Sequence, residues 1–205
     1  MVAGEPVRLV QSQIREAGDV LARAFHDDPL CIRMTPDDAK RARALPCLMT
    51  SMVRYYYPFA TVYTTMGAVE GVAVWAPPGH AKMTLGRMLA AGLLVVPLRF
   101  GLAETMLFMS LGNSLERYHE REVPSRHWYL VWLGVDPPSR GRGVGSALLQ
   151  PVLSRADDEG LPCYLQNSKA VNLAFYRRHG FEVVSEFAAP KGGPPIWTMR
   201  REPRR

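Results

Sequence analysis

Val135-Asp136-Pro137-Pro138-Ser139-Arg140-Gly141-Arg142-Gly143-Val144-Gly145-Ser146 joins one apolar run to another. The run before it, residues 128–135, carries the aromatic and β-branched bias of a strand. The run after it, from Gly143 to about Glu159, reads as a helix. Glycines at alternate positions let the backbone take positive φ and approach a ligand closely. Successive amide N–H groups can then point into one concavity. The helix that follows adds partial positive charge at its N-terminus, and Arg140 and Arg142 add whole charges. Such a turn suits a pyrophosphate.

Three other readings of the turn are possible. A GxxxxGK[ST] loop is excluded, because no lysine stands at the required place. A GxGxxG dinucleotide fingerprint fails at its last position, which is Ser146. The acidic ribose partner it needs after the next strand is replaced by Gln166-Asn167. A glycine-rich turn without a ligand accounts for the glycines but not for the flanking arginines.

Working outward, the order is strand, helix, strand, helix, strand, strand: residues 128–135, 143–159, 162–167, 170–179, 181–187 and 195–200. Upstream lie a first strand at 7–10 and a helix from Ile14 that ends at His26-Asp27-Asp28-Pro29, because proline disfavours helix in the residue before it. A second helix is expected after Thr35-Pro36, with threonine as N-cap. Strands follow at 60–66 and 71–75, with Gly67 in the turn between them. Residues 83–122 read as helical, broken or kinked at Pro97. The pattern predicts a mixed α/β fold.

A second motif follows the loop: Asn172-Leu173-Ala174-Phe175-Tyr176-Arg177-Arg178-His179-Gly180-Phe181. Asn172 and Tyr176 are four apart, so they share a helix face and can reach one ligand. A tyrosine with an ordinary pKa of about 10 is protonated at neutral pH and can give a proton to a leaving thiolate. Phe175 and Phe181 read as core residues, Gly180 as a helix stop and His179 as exposed.

Together the two segments resemble the GNAT superfamily of acetyltransferases, through Arg140-x-x-Gly143-x-Gly145 and Asn172-x-x-Phe175-Tyr176-x-x-x-Gly180-Phe181. The resemblance implies a mixed, mostly antiparallel twisted sheet, splayed in a V between two central strands, with helices on both faces. It implies acetyl-CoA as cosubstrate. The backbone of Leu133, Gly134 and Val135 would hold the pantetheine arm, with an N–H near Val135 as oxyanion donor. Arg140, Gly141, Arg142, Gly143, Val144, Gly145 and Ser146 would hold the pyrophosphate. Asn172 would contact the arm, and Tyr176 would be the catalytic acid. Residues 71–78, 161–168 and 193–199 are further similar to the puromycin N-acetyltransferase branch. Glutamate is frequent there at the position of Gln166. Glutamine cannot accept a proton as a base does, so the base would lie elsewhere. Glu104, Glu116, His119, Glu120, Glu182, His26 and Asp27 are unranked candidates. Tyr55, Tyr56 and Tyr57 are candidates for an apolar acceptor pocket, and Trp75 for the core.

The 205 residues make one domain, 1–205. Residues 81–126 are a variable helical cover for the acceptor site, and 201–205 a solvated basic tail. The net charge of +6 suits a phosphorylated cofactor. No aromatic residue interleaves with the terminal arginines, which argues against nucleic acid. The apolar stretch Met88 to Leu98 is about half the ~20 residues that span a bilayer, so a buried or substrate-facing helix is expected and no membrane partner. Three scattered cysteines without a CxxC pair fit a reducing cytoplasm and no metal. A homodimer stays open, without an interface signature. The function expected is N-acetylation of a small-molecule amine by direct attack on the thioester. The alternatives are a non-catalytic acyl-CoA-binding or regulatory domain, motivated by Gln166, and acetylation of protein amines, motivated by the tail.

Overall fold

The structure, a computed structural model, describes residues 4–123 and 126–204. Trp128–Val135 forms β4, flanked by β3 (Gly71–Ala76) on one side and β5 (Cys163–Asn167) on the other. With β1 (Pro6–Arg8), β2 (Val62–Thr65), β6 (Glu182–Ala188) and β7 (Pro195–Arg201), the sheet runs β1-β2-β3-β4-β5-β7-β6. Every pairing is antiparallel except β4 with β5. The mixed α/β class expected from the element order and the mostly antiparallel sheet that the resemblance implies are both observed.

One irregularity shapes the middle of the sheet. Val74 of β3 pairs with Trp132, and the next residue, Trp75, pairs with Leu130, so Val131 is an extra residue on β4. Such a bulge bends its strand and raises the local twist. On the other edge, β4 pairs with β5 only from Trp128 to Leu130. Beyond that point β4 keeps β3 and has left β5, and a V opens between the two strands.

Helix α1 (Ile14–Phe25) and α3 (Asp38–Tyr56) cover one face. They bury Leu21, Leu45, Met49, Val72 and Val74 in one cluster. Helix α7 (Val144–Glu159) covers the other, with Trp75, Trp128, Leu130, Leu148 and Val152. Close approach of α1 depends on two glycines. A Cβ on Gly18 would lie 2.7 Å from Thr50 Cα of α3, and one on Gly134 would lie 2.9 Å from Leu21 Cδ2. Trp75 is wholly buried, as its core assignment requires.

Several local expectations change. A short helix, α2 (Pro29–Met34), starts where α1 was expected only to stop. Pro29 sits in its first turn, where proline is favoured, and Asp28 caps it. The cap of α3 is Asp37, whose carboxylate accepts the Lys40 N–H at 2.6 Å, and not Thr35, whose hydroxyl is buried without a partner among the described residues. Residues 83–122 fold as α4 (Leu85–Ala90), α5 (Val96–Phe100) and α6 (Leu102–Glu122). The breaks fall at Gly92 and Gly101, with φ of 77° and 96°, while Pro97 sits in the first turn of α5. The Met88 to Leu98 stretch is not uniformly buried. Leu93 and Val96 are inside, and Leu98 is 83% exposed. No helix among the described residues is long and apolar enough to cross a membrane.

The basic tail is also corrected. Arg201 ends β7, is 3% exposed, and clamps Asp157 of α7 with two N–H···O bonds of 2.7 Å. Arg205 lies outside the described residues. The Arg201 guanidinium holds the Asp157 carboxyl below the usual carboxylate range. That contribution to stability is therefore whole above about pH 4, the unfolded value, and is lost as pH falls through the lowered one. Removing the partly exposed carboxylate leaves the buried Arg201 guanidinium unpaired, at a cost of about 1–3 kcal/mol. Asp157→Ala is predicted to lower the unfolding free energy by about that amount at pH 7, and by much less near pH 2. Urea titrations at the two pH values check this.

Candidate active site

β4 ends at Val135, and the next residue is anchored at once. Asp136 accepts from Arg23 of α1 at 2.9 and 2.7 Å, which pulls its carboxyl below the ordinary range. Pro137–Ser139 make one 3-10 turn. Arg140 then reaches back, donating to the carbonyls of Val135 (3.3 Å) and Ala24 (3.1 Å). Arg142 turns the other way, 3.0 Å from a Glu70 oxygen to which Ser139 also donates at 3.2 Å. Neither arginine is the free charge that the sequence suggested. Arg140 is a strut between loop and α1, and Arg142 is already balanced by a carboxylate.

The anion-attracting part of the loop is its backbone. Gly141 and Gly143 have φ of 76° and 84°, conformations in which a side chain is strained. Val144, Gly145 and Ser146 form the first turn of α7. Their N–H groups have no carbonyl of the same helix to bond. The helix dipole adds positive potential at the same point. A Cβ on Gly145 would lie 3.4 Å from the Phe175 ring, so the two motifs of the sequence touch.

Asn172 closes a 3-10 turn, Ala170–Asn172, and precedes α8 (Leu173–Arg178). Its amide donates to Asn167 Oδ1 at 3.3 Å, at the end of β5. Tyr176 is buried, edge-on to Phe175 and Phe181. Its hydroxyl has no hydrogen-bond partner among the described residues. Burial, and then the nearby Asp28 carboxylate, push its pKa above the usual tyrosine range, so it stays protonated. His179, expected to be exposed, is half-buried, with Nε2 3.0 Å from Ser146 Oγ and its ring edge-on to Phe175. Burial is the main reason its pKa is lowered, and the cations around it add to this.

Asp28 is the residue that sequence reasoning missed. It is 5% exposed. One carboxylate oxygen accepts the Leu30 N–H at 2.9 Å and the other accepts Ser168 Oγ at 2.6 Å, just beyond β5. Buried Arg41 fixes the surrounding turn by donating to the carbonyls of His26 and Thr35. The Asp-Pro pair was a legible signal, since an aspartate before a first-turn proline is an N-cap whose carboxylate folds back on the chain. His26 and Asp27 pair with each other at 3.3 Å instead, and Asp27 is exposed. Other base candidates have partners of their own: Glu104 pairs with Lys40 and Glu120 with Lys82, and Glu116 lies 3.6 Å from His119 Nδ1. His119 is buried, with its Nε2 2.6 Å from that of His127. Glu182 is exposed on β6. Tyr55 and Tyr56 are buried, and the Tyr55 hydroxyl accepts the Thr84 N–H at 2.8 Å, which fixes the entry to α4. Trp132 meets Phe25 edge-on at 4.9 Å and walls the V on the α1 side. No metal-holding cluster is present among the described residues.

The fold agrees with that of known proteins. Residues 112–181 match the acetyltransferase (GNAT) family. That match covers 70 of the chain's 205 residues. An uncharacterized N-acetyltransferase of Schizosaccharomyces pombe is 25% identical over 203 residues, 96% of this chain and 82% of that protein. Among solved structures, a histone acetyltransferase HPA2 and related acetyltransferase from Corynebacterium glutamicum is 25% identical with a TM-score of 0.73, covering 100% of this chain and 98% of that one. The polyamine N-acetyltransferase of Drosophila melanogaster, which forms N-acetylagmatine, is 17% identical with a TM-score of 0.62 over 97% and 100% of the two chains, a likeness of fold.

Gln166 has its own role in the structure. Its oxygen accepts the Tyr129 hydroxyl at 3.0 Å and its amide donates to Leu115 O of α6 at 2.9 Å. A carboxylate cannot make the second bond. Gln166→Glu is predicted to lower stability by about 1–3 kcal/mol at pH 7 and to bring no gain in turnover. The deficit narrows as pH falls, because a protonated carboxyl can donate again. Melting curves at pH 7 and 5 measure this, and wild-type stability at pH 7 would contradict it.

Proposed function

We propose that the protein moves an acetyl group from acetyl-CoA to a primary amine of a small molecule. The observation that carries this reading is the unpaired edge of β4 beyond Leu130, lying between the amide-lined loop at Gly141–Ser146 and the buried Tyr176. The residues suit the cosubstrate. Positive-φ glycines and first-turn amides fit a pyrophosphate, and the free edge of Leu133, Gly134 and Val135 offers main-chain groups to a pantetheine arm. Asn172, tied to the end of β5, is in place to contact that arm. Acetyl-CoA supplies an activated acyl group as a thioester.

The chain then has to manage two protons. Tyr176 Oη holds one and can give it to the departing sulfur. The Asp28 carboxylate can take one from the incoming amine, and Ser168 Oγ orients it. A backbone N–H near Val135 can stabilise charge developing on the carbonyl oxygen. A small-amine acceptor draws support from the likeness of fold to the Drosophila enzyme that forms N-acetylagmatine, and from the puromycin-acetyltransferase-like segments at 71–78, 161–168 and 193–199.

Two observations favour this reading over its alternatives. Gln166 suggested a site without a base, and Asp28 provides one. The basic tail suggested a macromolecular acceptor, and Arg201 is part of the sheet. Free-thiol release from acetyl-CoA across a panel of amines tests the reading, and silence across small amines, peptides and protein lysines would sink it. Asp28→Asn keeps the helix cap and is expected to lower kcat on the order of 100-fold at pH 7. Acetyl-CoA affinity stays unchanged, and activity recovers at high pH as the amine deprotonates itself. Tyr176→Phe is expected to lower kcat in the same way. Unaltered turnover in either variant would remove that residue from its role.

A further inference from the structure

Beside the pyrophosphate loop lies a group of cations that the fold leaves unbalanced. Arg178 ends α8 and lies over the Phe175 ring, 5.9 Å from its centroid, and Phe175 packs against Gly145 of the loop. His179 follows, with Nε2 3.0 Å from Ser146 Oγ in the first turn of α7. Arg204 comes from the end of the chain. Its backbone N–H donates to Asp157 Oδ1 at 2.7 Å, so its position is set. Gly180, with φ of 87°, makes room for its guanidinium, and a Cβ there would lie 2.9 Å from Nη2.

The carboxylate that could neutralise this group is already used. Asp157 accepts two N–H bonds from Arg201 and one from the Arg204 backbone. Neither Arg178 nor Arg204 has an ion-pair partner among the described residues, and both are exposed. Arg140 and Arg142 differ, because backbone carbonyls and Glu70 occupy them.

We infer that Arg178, with Arg204 and the Ser146–His179 pair beside it, forms a second anion site that takes the 3′-phosphate on the ribose of CoA. The inference rests on the reading of the loop as a pyrophosphate site. The chemistry separates the two. A pyrophosphate bridging two esters suits neutral amides, whereas a 3′-phosphomonoester carries close to two negative charges at neutral pH and suits guanidinium groups that form charge-assisted bonds. The site makes the chain discriminate CoA from 3′-dephospho-CoA, a distinction that the backbone of the loop cannot make.

Equilibrium binding by calorimetry decides this without knowledge of the acceptor. The wild-type protein is expected to bind CoA about tenfold or more tightly than 3′-dephospho-CoA. Arg178→Ala removes most of that preference by weakening CoA alone, Arg178→Lys keeps part of it, and Arg178→Ala with Arg204→Ala abolishes it. Both arginines are exposed, and unchanged melting curves confirm that the variants fold. Equal affinity of the wild type for the two ligands overturns the inference and leaves the proposed function standing. So does a preference that survives in the double variant. Binding of neither ligand overturns the proposed function, and the inference with it.

Discussion

The extra residue at Val131 is the constraint on which the rest of the site depends. A strand with one surplus residue cannot stay in register with both neighbours. β4 keeps its antiparallel pairing with β3 on either side of the bulge and gives up β5 after Leu130. The bulge also breaks the alternation of side chains, so that Val131 and Trp132, adjacent in sequence, both pack towards α1 and α3. The V is therefore a result of backbone counting, and the contacts around it hold it open. Gly134 lets α1 lie directly on the bent half of β4, and Arg23 and Arg140 fasten α1 to the turn that follows. On the far side, Gln166 and Asn172 hold the end of β5 to α6 and to the turn before α8. Any closure of the V would have to break both sets.

The electrostatics of the site follow from the same economy. The loop presents amides and a helix end, and its two conspicuous arginines serve the scaffold. An anion held there would meet backbone dipoles fixed by the fold, and its hold would depend little on side-chain mobility. Asp28 and Tyr176 sit on the other side of the open edge, contributed by α2 and α8. They are ordered by caps and packing that would exist without any ligand. Their proximity has a cost to Tyr176 as an anion and none as an acid, and the proposed role needs it to be an acid.

Much of this was legible in the sequence, and what was legible was local. The loop, the strand before it and the helix after it are defined by neighbours in the chain, and their bounds are nearly those observed. The asparagine–tyrosine segment was visible for the same reason. The bulge was not, because Trp128 to Val135 is apolar throughout, and no residue type marks the place where one side chain is surplus. In the sequence Asp28 reads only as part of a helix stop, although its aspartate–proline pair encodes a cap. The partners of Gln166 and Arg201 lie 51 and 44 residues away. A contact at that separation leaves no periodic trace, so in the sequence Gln166 reads as a missing base and Arg201 as part of a tail. Arg140 and Arg142 are legible as loop residues, but the atoms that occupy them belong to β4, to α1 and to the turn before β3.

Amide hydrogen exchange with and without acetyl-CoA, resolved residue by residue, tests the central claim most directly: that the edge vacated by β5 is the cofactor's place. Acetyl-CoA is predicted to slow exchange at the β4 amides between Val131 and Val135 that face the V, and at Gly141 to Ser146, while the three paired residues Trp128 to Leu130 change little. Protection that falls elsewhere and leaves 131–135 as exposed as before would contradict the account.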